Sequence, residues 1–331
     1  MDNYQQVLLQ MEEFGIVLLD KNLPLKTGTP KRVTCGKGGK DWYRLYEFCP
    51  DAGGTYIVGT YGTYRHGGDW RKVVVDWKPL SDAERTRMAA ERRAERERAE
   101  ADRRLAAELA AMGAADLLAS AKREGISPYL QRKLVEGESC RYLPDGTIVI
   151  PLMRYDLSVD QRLQAVQRIL PSGQKFYSKG FDKPGCCVRL GQIDADATPL
   201  LLVVEGFATG LTARMATDKA HPVFVALDAG NLAHVVPLLR KLYPHTRILI
   251  LADDDWLTKD QHTEELVNPG RTAARLVARK VEGCDLVWPI FKAATREEKD
   301  TDFNDLHVRE GLEAVRKQLT GVVTMMARRY G

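Results

Sequence analysis

Beyond residue 197 the chain alternates short apolar runs with amphipathic stretches. LLLVVEG, PVFVALD, RILILADDD and DLVWPIF each carry a continuous apolar run of the length expected for a strand buried on both faces. Between them, ATGLTARMATD, AHVVPLLRKLY and GRTAARLVARKVEG repeat apolar positions every three to four residues, as a helix with one buried face does. Such alternation predicts a Rossmann-like parallel α/β sheet with flanking helices over residues 197–320, followed by a tail at 321–331.

Upstream the pattern changes twice. Residues 125–196 mix strand-like runs (TIVIPLMRY, LQAVQRIL) with a basic, glycine-containing loop, QKFYSKGFDKPG, and read as a basic α+β subdomain. Residues 82–111 hold neither Gly nor Pro and consist mainly of Ala, Glu and Arg, all strong helix formers. Ser81 with Glu84 resembles a capping box, and the charges fall at i,i+3 and i,i+4 spacings that suit a solvated helix. Gly113 is expected to interrupt it before a second helical pattern, ADLLASAKREG, so 81–124 reads as a charged helical linker. Residues 1–80, with DWYRLYEF, TYIVGTYGTY and RKVVVDW between glycine turns, read as a small β-rich domain able to bind nucleic acid.

Charge sharpens this picture. The net charge is +4, but residues 121–190 hold 12 Lys and Arg against 7 Asp and Glu, whereas 199–306 hold 13 against 16. A basic segment beside an acidic one suits a phosphate-binding surface next to a cation-collecting site. No apolar run is long enough to span a membrane, and the acidic start MDNYQQVLLQMEEFG does not resemble a secretory signal, which points to the cytoplasm. The six cysteines show no C-x2-C or C-x4-C spacing, so reduced thiols are expected and zinc is not. His221, His234, His245 and His262 lack metal-ligand spacing and are read as structural.

The chemistry concentrates in carboxylates at strand ends, where open α/β sheets gather their functional groups. Glu205 follows LLLVV; Asp253, Asp254 and Asp255 follow RILILA; Asp302 and Asp305 follow the fourth strand in TDFND. Acidic groups delivered to one edge repel each other unless cations neutralise them, and hard oxygen donors select Mg2+ or Mn2+. Asp253 and Asp255 are expected to point together, with Asp254 turned elsewhere. Asp228 and Asn231 in LDAGNL, and Asn268 in NPGR, either line this edge or only turn and cap their helices.

Glu205-Gly206 and the Asp253/Asp255 pair resemble the defining motifs of the Toprim domain. VVEGFATGLTA, ALDAGNL, LADDD, NPGRTAA and TDFNDL, preceded by SPYLQRK, TIVIPL, QRILPSGQKFYSKG and RLG, resemble the Toprim DNA primases of plasmids and phages over 125–319. That resemblance implies a nucleotidyltransferase of the DNA-directed RNA polymerase type, making short primers on single-stranded DNA from nucleoside triphosphates during replication. It implies Glu205, Asp253 and Asp255 as catalytic groups and, with Asp302 and Asp305, as ligands of two metal ions, Glu205 being either a ligand or a general acid/base. Lys175, Lys179, Lys183, Arg189 and Arg271 are the expected nucleotide and DNA contacts. The cysteines here cannot make the zinc ribbon of replicative primases, and no G-x4-G-K-[ST] phosphate loop stands in this sequence to mark a fused helicase, so a separate helicase is a candidate partner. Template recognition then falls to the β-rich domain, the basic segment or another protein. Two other readings stand: a Toprim nuclease using the same metals, and a non-catalytic DNA-binding replication accessory protein.

Overall fold

In DWYRLYEF, Tyr43 and Leu45 turn into a core while Arg44 and Tyr46 between and beside them stay partly exposed, and on this alternation the N-terminal unit is built. The computed structural model describes residues 1–50, 53–65, 68–75, 82–194, 197–259, 264–294 and 296–330, and its contacts divide it into Met1–Asp102 and Arg103–Gly331. The first unit holds helix α1 (Tyr4–Glu13) and an antiparallel sheet of β1 (Val33–Cys35), β2 (Asp41–Phe48), β3 (Tyr56–Thr63) and β4 (Trp70–Lys72), in that order. Tyr43 and Leu45 of β2 join Ile57 and Tyr61 of β3 against Val7 and Met11 of α1 in one core.

Helix α2 (Asp82–Ser120) is continuous through Gly113, against the expected interruption, and the division between the two units falls inside it. A helical Gly costs only about 1 kcal/mol relative to Ala. Here Ala114, Leu117 and Leu118 pack against Val149 and Val166, which offsets that cost. From Ala89 to Glu108 the helix is mostly exposed. Ser81, its expected cap, lies outside the described residues, as do Asp76 and Trp77 of RKVVVDW and His262.

The second unit begins with a short helix, α3 (Pro128–Arg132), and an antiparallel sheet of β5 (Arg141–Tyr142), β6 (Ile148–Met153), β7 (Leu163–Ile169) and β8 (Lys175–Tyr177). Then come β9 (Val188–Leu190), β10 (Leu200–Val204), α4 (Phe207–Ala216), β11 (Val223–Val225), α5 (Ala229–Leu242), β12 (Arg247–Leu251), α6 (Pro269–Lys280), β13 (Cys284–Val287), α7 (Phe303–Glu310) and α8 (Leu312–Tyr330). The second sheet runs β13-β12-β10-β11-β9, four parallel strands with β9 antiparallel at one edge. Alternate residues of β10 serve two cores. Leu200, Leu202 and Val204 pack with α4, α7, α8 and the antiparallel sheet; Leu201 and Val203 pack with α5 and α6. Burial on both faces explains why this strand reads as unbroken apolar sequence. No helix among the described residues is long and apolar enough to cross a membrane.

Candidate active site at the carboxylate edge

Strand register brings the acidic residues to one edge. Val204 of β10 pairs with Leu251 of the parallel β12, so Glu205 leaves one strand and Asp253 the next at the same carboxyl end. Asp302 reaches this edge as the N-cap of α7, accepting the Asp305 N–H at 2.8 Å. Asp305 completes a capping box by accepting the Asp302 N–H at 3.3 Å, and its other oxygen receives Lys133 Nζ at 3.1 Å.

The electrostatics record the crowding. Burial first, and then the negative charge of Asp255, push the Glu205 carboxyl up from its ordinary 4.5 to about 7. Burial and the charges of Asp302, Glu205, Asp255 and Asp305 hold Asp253 well above the carboxylate range. Asp302 is raised by burial and by Asp305, against the pull of Lys133. Glu205 Oε1 and Asp253 Oδ1 are buried and accept no hydrogen bond. A buried carboxylate oxygen without a donor is costly, and a bound cation removes that cost.

Asp254 behaves oppositely to its neighbours. It is 1 % exposed, ion-paired with Arg271 (Nε at 2.8 Å) and Arg296, and accepts hydrogen bonds from Arg296 Nη2 at 2.9 Å and Asn268 Nδ2 at 2.6 Å. It therefore anchors the loop, while Asp253 and Asp255 flank it on the cluster side. Asn268 caps α6 by accepting the Arg271 N–H at 3.1 Å and also accepts the Asp255 N–H at 3.2 Å. Asp255 Oδ2 accepts the Gly270 N–H at 2.9 Å. Gly270 is required here, since a Cβ at that position would stand 2.5 Å from the Asp253 carbonyl oxygen.

The basic residues scatter. Lys183 comes to the edge, ion-paired with Asp228, which caps α5 through the Asn231 N–H. Lys175 and Lys179 are exposed on and just after β8. Arg189 lies with its guanidinium 5.3 Å from the Tyr155 ring, lining a cavity of about 510 Å³ with Glu138 and Arg214. None of the edge carboxylates lines that cavity. Arg271 is held by Asp254 and lies 4.3 Å from the Trp288 ring centre, so it serves the loop before any ligand. Sequence reasoning missed Lys133 and Arg296. Lys133 stands in SPYLQRK, some 170 residues before Asp305, and only the fold brings the two together.

Among the described residues, no group of three His, Cys, Asp or Glu already converges tightly enough to cage a metal. The donor set nevertheless fits a hard divalent cation: all-oxygen, mutually repelling, with two buried oxygens unpartnered. The six cysteines are free thiols; Cys35, Cys186 and Cys187 are buried, and that burial raises their thiols and holds them protonated.

Residues 200–313 match the Toprim domain family model. Two Escherichia coli proteins named DNA primase TraC are 35% identical over 133 residues and 31% identical over 230 residues. Those alignments cover 40% and 66% of this chain but only 12% and 15% of the relatives, so the chain spans a small part of their length. Among solved structures, the primase fragment of the bacteriophage T7 primase-helicase aligns over 57% of this chain and 69% of its own at 12% identity, with a TM-score of 0.37. The catalytic domain of DnaG primase bound to single-stranded DNA aligns over 66% and 82% at 14% identity, also with a TM-score of 0.37. With the parallel sheet, the glutamate after its central strand and the aspartate pair after the next, residues 200–313 of this chain are a Toprim domain.

Proposed function

We propose that the chain is a DNA primase, building short primers on single-stranded DNA by nucleotidyl transfer in plasmid or phage replication. The observation that carries this reading is the pair of buried, unpartnered oxygens on Glu205 and Asp253, set among further carboxylates at one sheet edge. Similarity to proteins named DNA primase TraC favours synthesis over the hydrolysis that a nuclease would perform on the same carboxylates.

In the reaction, the 3′-hydroxyl oxygen of one nucleotide attacks the α-phosphorus of the next, and the bond to pyrophosphate breaks. Asp253 and Asp255 would hold Mg2+ or Mn2+, two ions in all, with Asp302 and Asp305 completing the set. Bound there, the ions neutralise the charge that gathers on the phosphoryl oxygens. Glu205, whose carboxyl titrates near 7, takes the proton of the attacking hydroxyl at Oε1. Asp254, gripped by Arg271 and Arg296, keeps Asp253 and Asp255 presented to the same cluster. Lys133 and Lys183, each beside an edge carboxylate, give the departing pyrophosphate cationic contacts. Lys175 and Lys179 are free to meet the template backbone, while Arg189, facing its own cavity, meets nucleotide or template away from the reacting atoms. Nucleoside triphosphates are the substrates and a separate replicative helicase the partner. Such work belongs with replicating DNA in the cytoplasm.

Incubating the protein with single-stranded DNA, labelled nucleotides and Mg2+ or Mn2+ tests the reading when scored for both synthesis and degradation. Degradation without incorporation would support the nuclease. Neither product would support the accessory role.

A further inference from the structure

The outer face of the N-terminal sheet carries a constellation that the Toprim chemistry does not use. Register aligns Thr34, Trp42, Gly62 and Trp70 in one row across β1, β2, β3 and β4, with Arg44, Thr60 and Lys72 in the next. These positions alternate with Tyr43, Leu45, Ile57 and Tyr61, which face the core, so they share the opposite face. Tyr64 and Arg32 extend it beyond the strand ends.

The face is aromatic and cationic together. Arg32 lies 3.8 Å from the Trp42 ring centre and 5.9 Å from that of Tyr64, and the Trp42 and Tyr64 rings stand 6.2 Å apart. Gly62 lets the strands and both tryptophans close tightly over it, since a Cβ there would stand 2.5 Å from the Asp69 carbonyl oxygen, 2.8 Å from Trp70 Cβ and 3.0 Å from Trp42 Cζ2. Tyr64 and Trp70 remain 49% and 51% exposed, while Trp42 is 4% exposed beneath them. Large aromatic surface is costly to leave in water, and here it survives beside the exposed cations Arg32 and Lys72. No Asp or Glu occupies a position in these two rows. Glu95 of α2 meets the second row at Arg44, pairing with it at 2.5 Å, and accepts the Tyr46 hydroxyl at 3.0 Å.

Flat rings flanked by positive charge, with no acid in these two rows and Glu95 already paired with Arg44, suit one partner class. Unpaired bases stack on the rings while the cations follow the backbone. Duplex DNA offers no free base faces, and an acidic peptide has no use for the rings. We propose that this face, centred on Tyr64, Trp70 and Arg32, binds single-stranded nucleic acid and gives the chain its own hold on template. In calling the ligand template, the inference rests on the priming reading.

The test is fluorescence anisotropy of labelled oligo(dT) with the full chain in EDTA and without nucleotides. Trp70→Ala and Tyr64→Ala should each weaken binding about 5- to 100-fold, the usual range for losing one stacked base. Trp70→Phe should restore most of the affinity, and Lys72→Gln should lower the salt dependence by roughly one released counterion. Both rings are half-exposed, so circular dichroism and the thermal midpoint should match wild type. Binding of both alanine variants within twofold of wild type would overturn the proposal. Equal competition by duplex DNA would overturn it too. Because no metal or nucleotide is present, a chain that binds through this face yet never incorporates nucleotides defeats only the priming reading. A chain that primes while the variants bind normally defeats only this one.

Discussion

Asp253 and Asp254 are neighbours in sequence with opposite physical roles, and they should respond oppositely to the same change. Asp253 is buried among like charges, and its orphaned Oδ1 has no hydrogen bond to lose, so Asp253→Asn removes repulsion. Primer synthesis should vanish, while the thermal midpoint in EDTA stays level or rises. In Mg2+ the variant should lack the stabilisation that wild type gains. Asp254→Ala instead strands Arg271 and Arg296 around an empty acceptor, at a cost of about 3–5 kcal/mol, and chemical denaturation should register that loss with or without metal. The sequence motif marked both residues as acidic and at a strand end. It separated them only by the parity of an extended segment, and the partners of Asp254 come from residues 268–296, which parity cannot reach.

Glu205 sets a pH dependence of the metal-free protein. Its folded value of about 7 lies above the ordinary 4.5, so the folded chain holds this proton more tightly than the unfolded chain. The resulting stability is fully present below pH 4.5 and is lost as pH rises through 7. Each tenfold change in proton affinity is worth about 1.4 kcal/mol, so the loss is on the order of 3 kcal/mol. Raised values at Asp253 and Asp302 act in the same direction. Thermal melts in EDTA should therefore fall across this window, and millimolar Mg2+ should flatten the curve. Stability in EDTA that rises over the same range would contradict the repulsive cluster.

At the scale of elements, two glycines test why α2 and α6 sit as they do. Gly113 lies inside a continuous helix, and a methyl added there would have nothing within 4 Å, so Gly113→Ala should stabilise by about 0.5–1 kcal/mol in chemical denaturation. Gly270 is its opposite. A methyl there collides with the Asp253 carbonyl oxygen, so Gly270→Ala should destabilise by about 1–3 kcal/mol and weaken the metal response as well. The alternation of apolar runs and amphipathic helices made the parallel core readable, because burial on both faces leaves unbroken apolar sequence. Gly113 misled because local propensity ignores the packing of Ala114, Leu117 and Leu118 against β6 and β7. The antiparallel direction of β9 was not legible either, since three residues, Val188–Leu190, carry no signal of direction.

For the whole molecule, two units are joined within one helix, and each bears a different kind of surface. The Toprim edge gathers carboxylates; the outer face of the N-terminal sheet gathers rings and cations. Lys133 joins Asp305 across the second unit from a segment whose strand and turn motifs gave no hint of the pairing. Lys133→Ala should leave the fold intact but slow nucleotide incorporation about tenfold or more, as the loss of one hydrogen bond to a charged group implies. Steady-state incorporation against nucleotide concentration would register it.

Template-directed incorporation tests the central claim most directly: wild type and Asp253→Asn are given single-stranded DNA, labelled nucleotides and Mg2+ or Mn2+, and products are resolved by length. Wild type should yield short new oligonucleotides with the input DNA intact, and the variant none. Wild-type protein that shortens the DNA and never joins a nucleotide would contradict it.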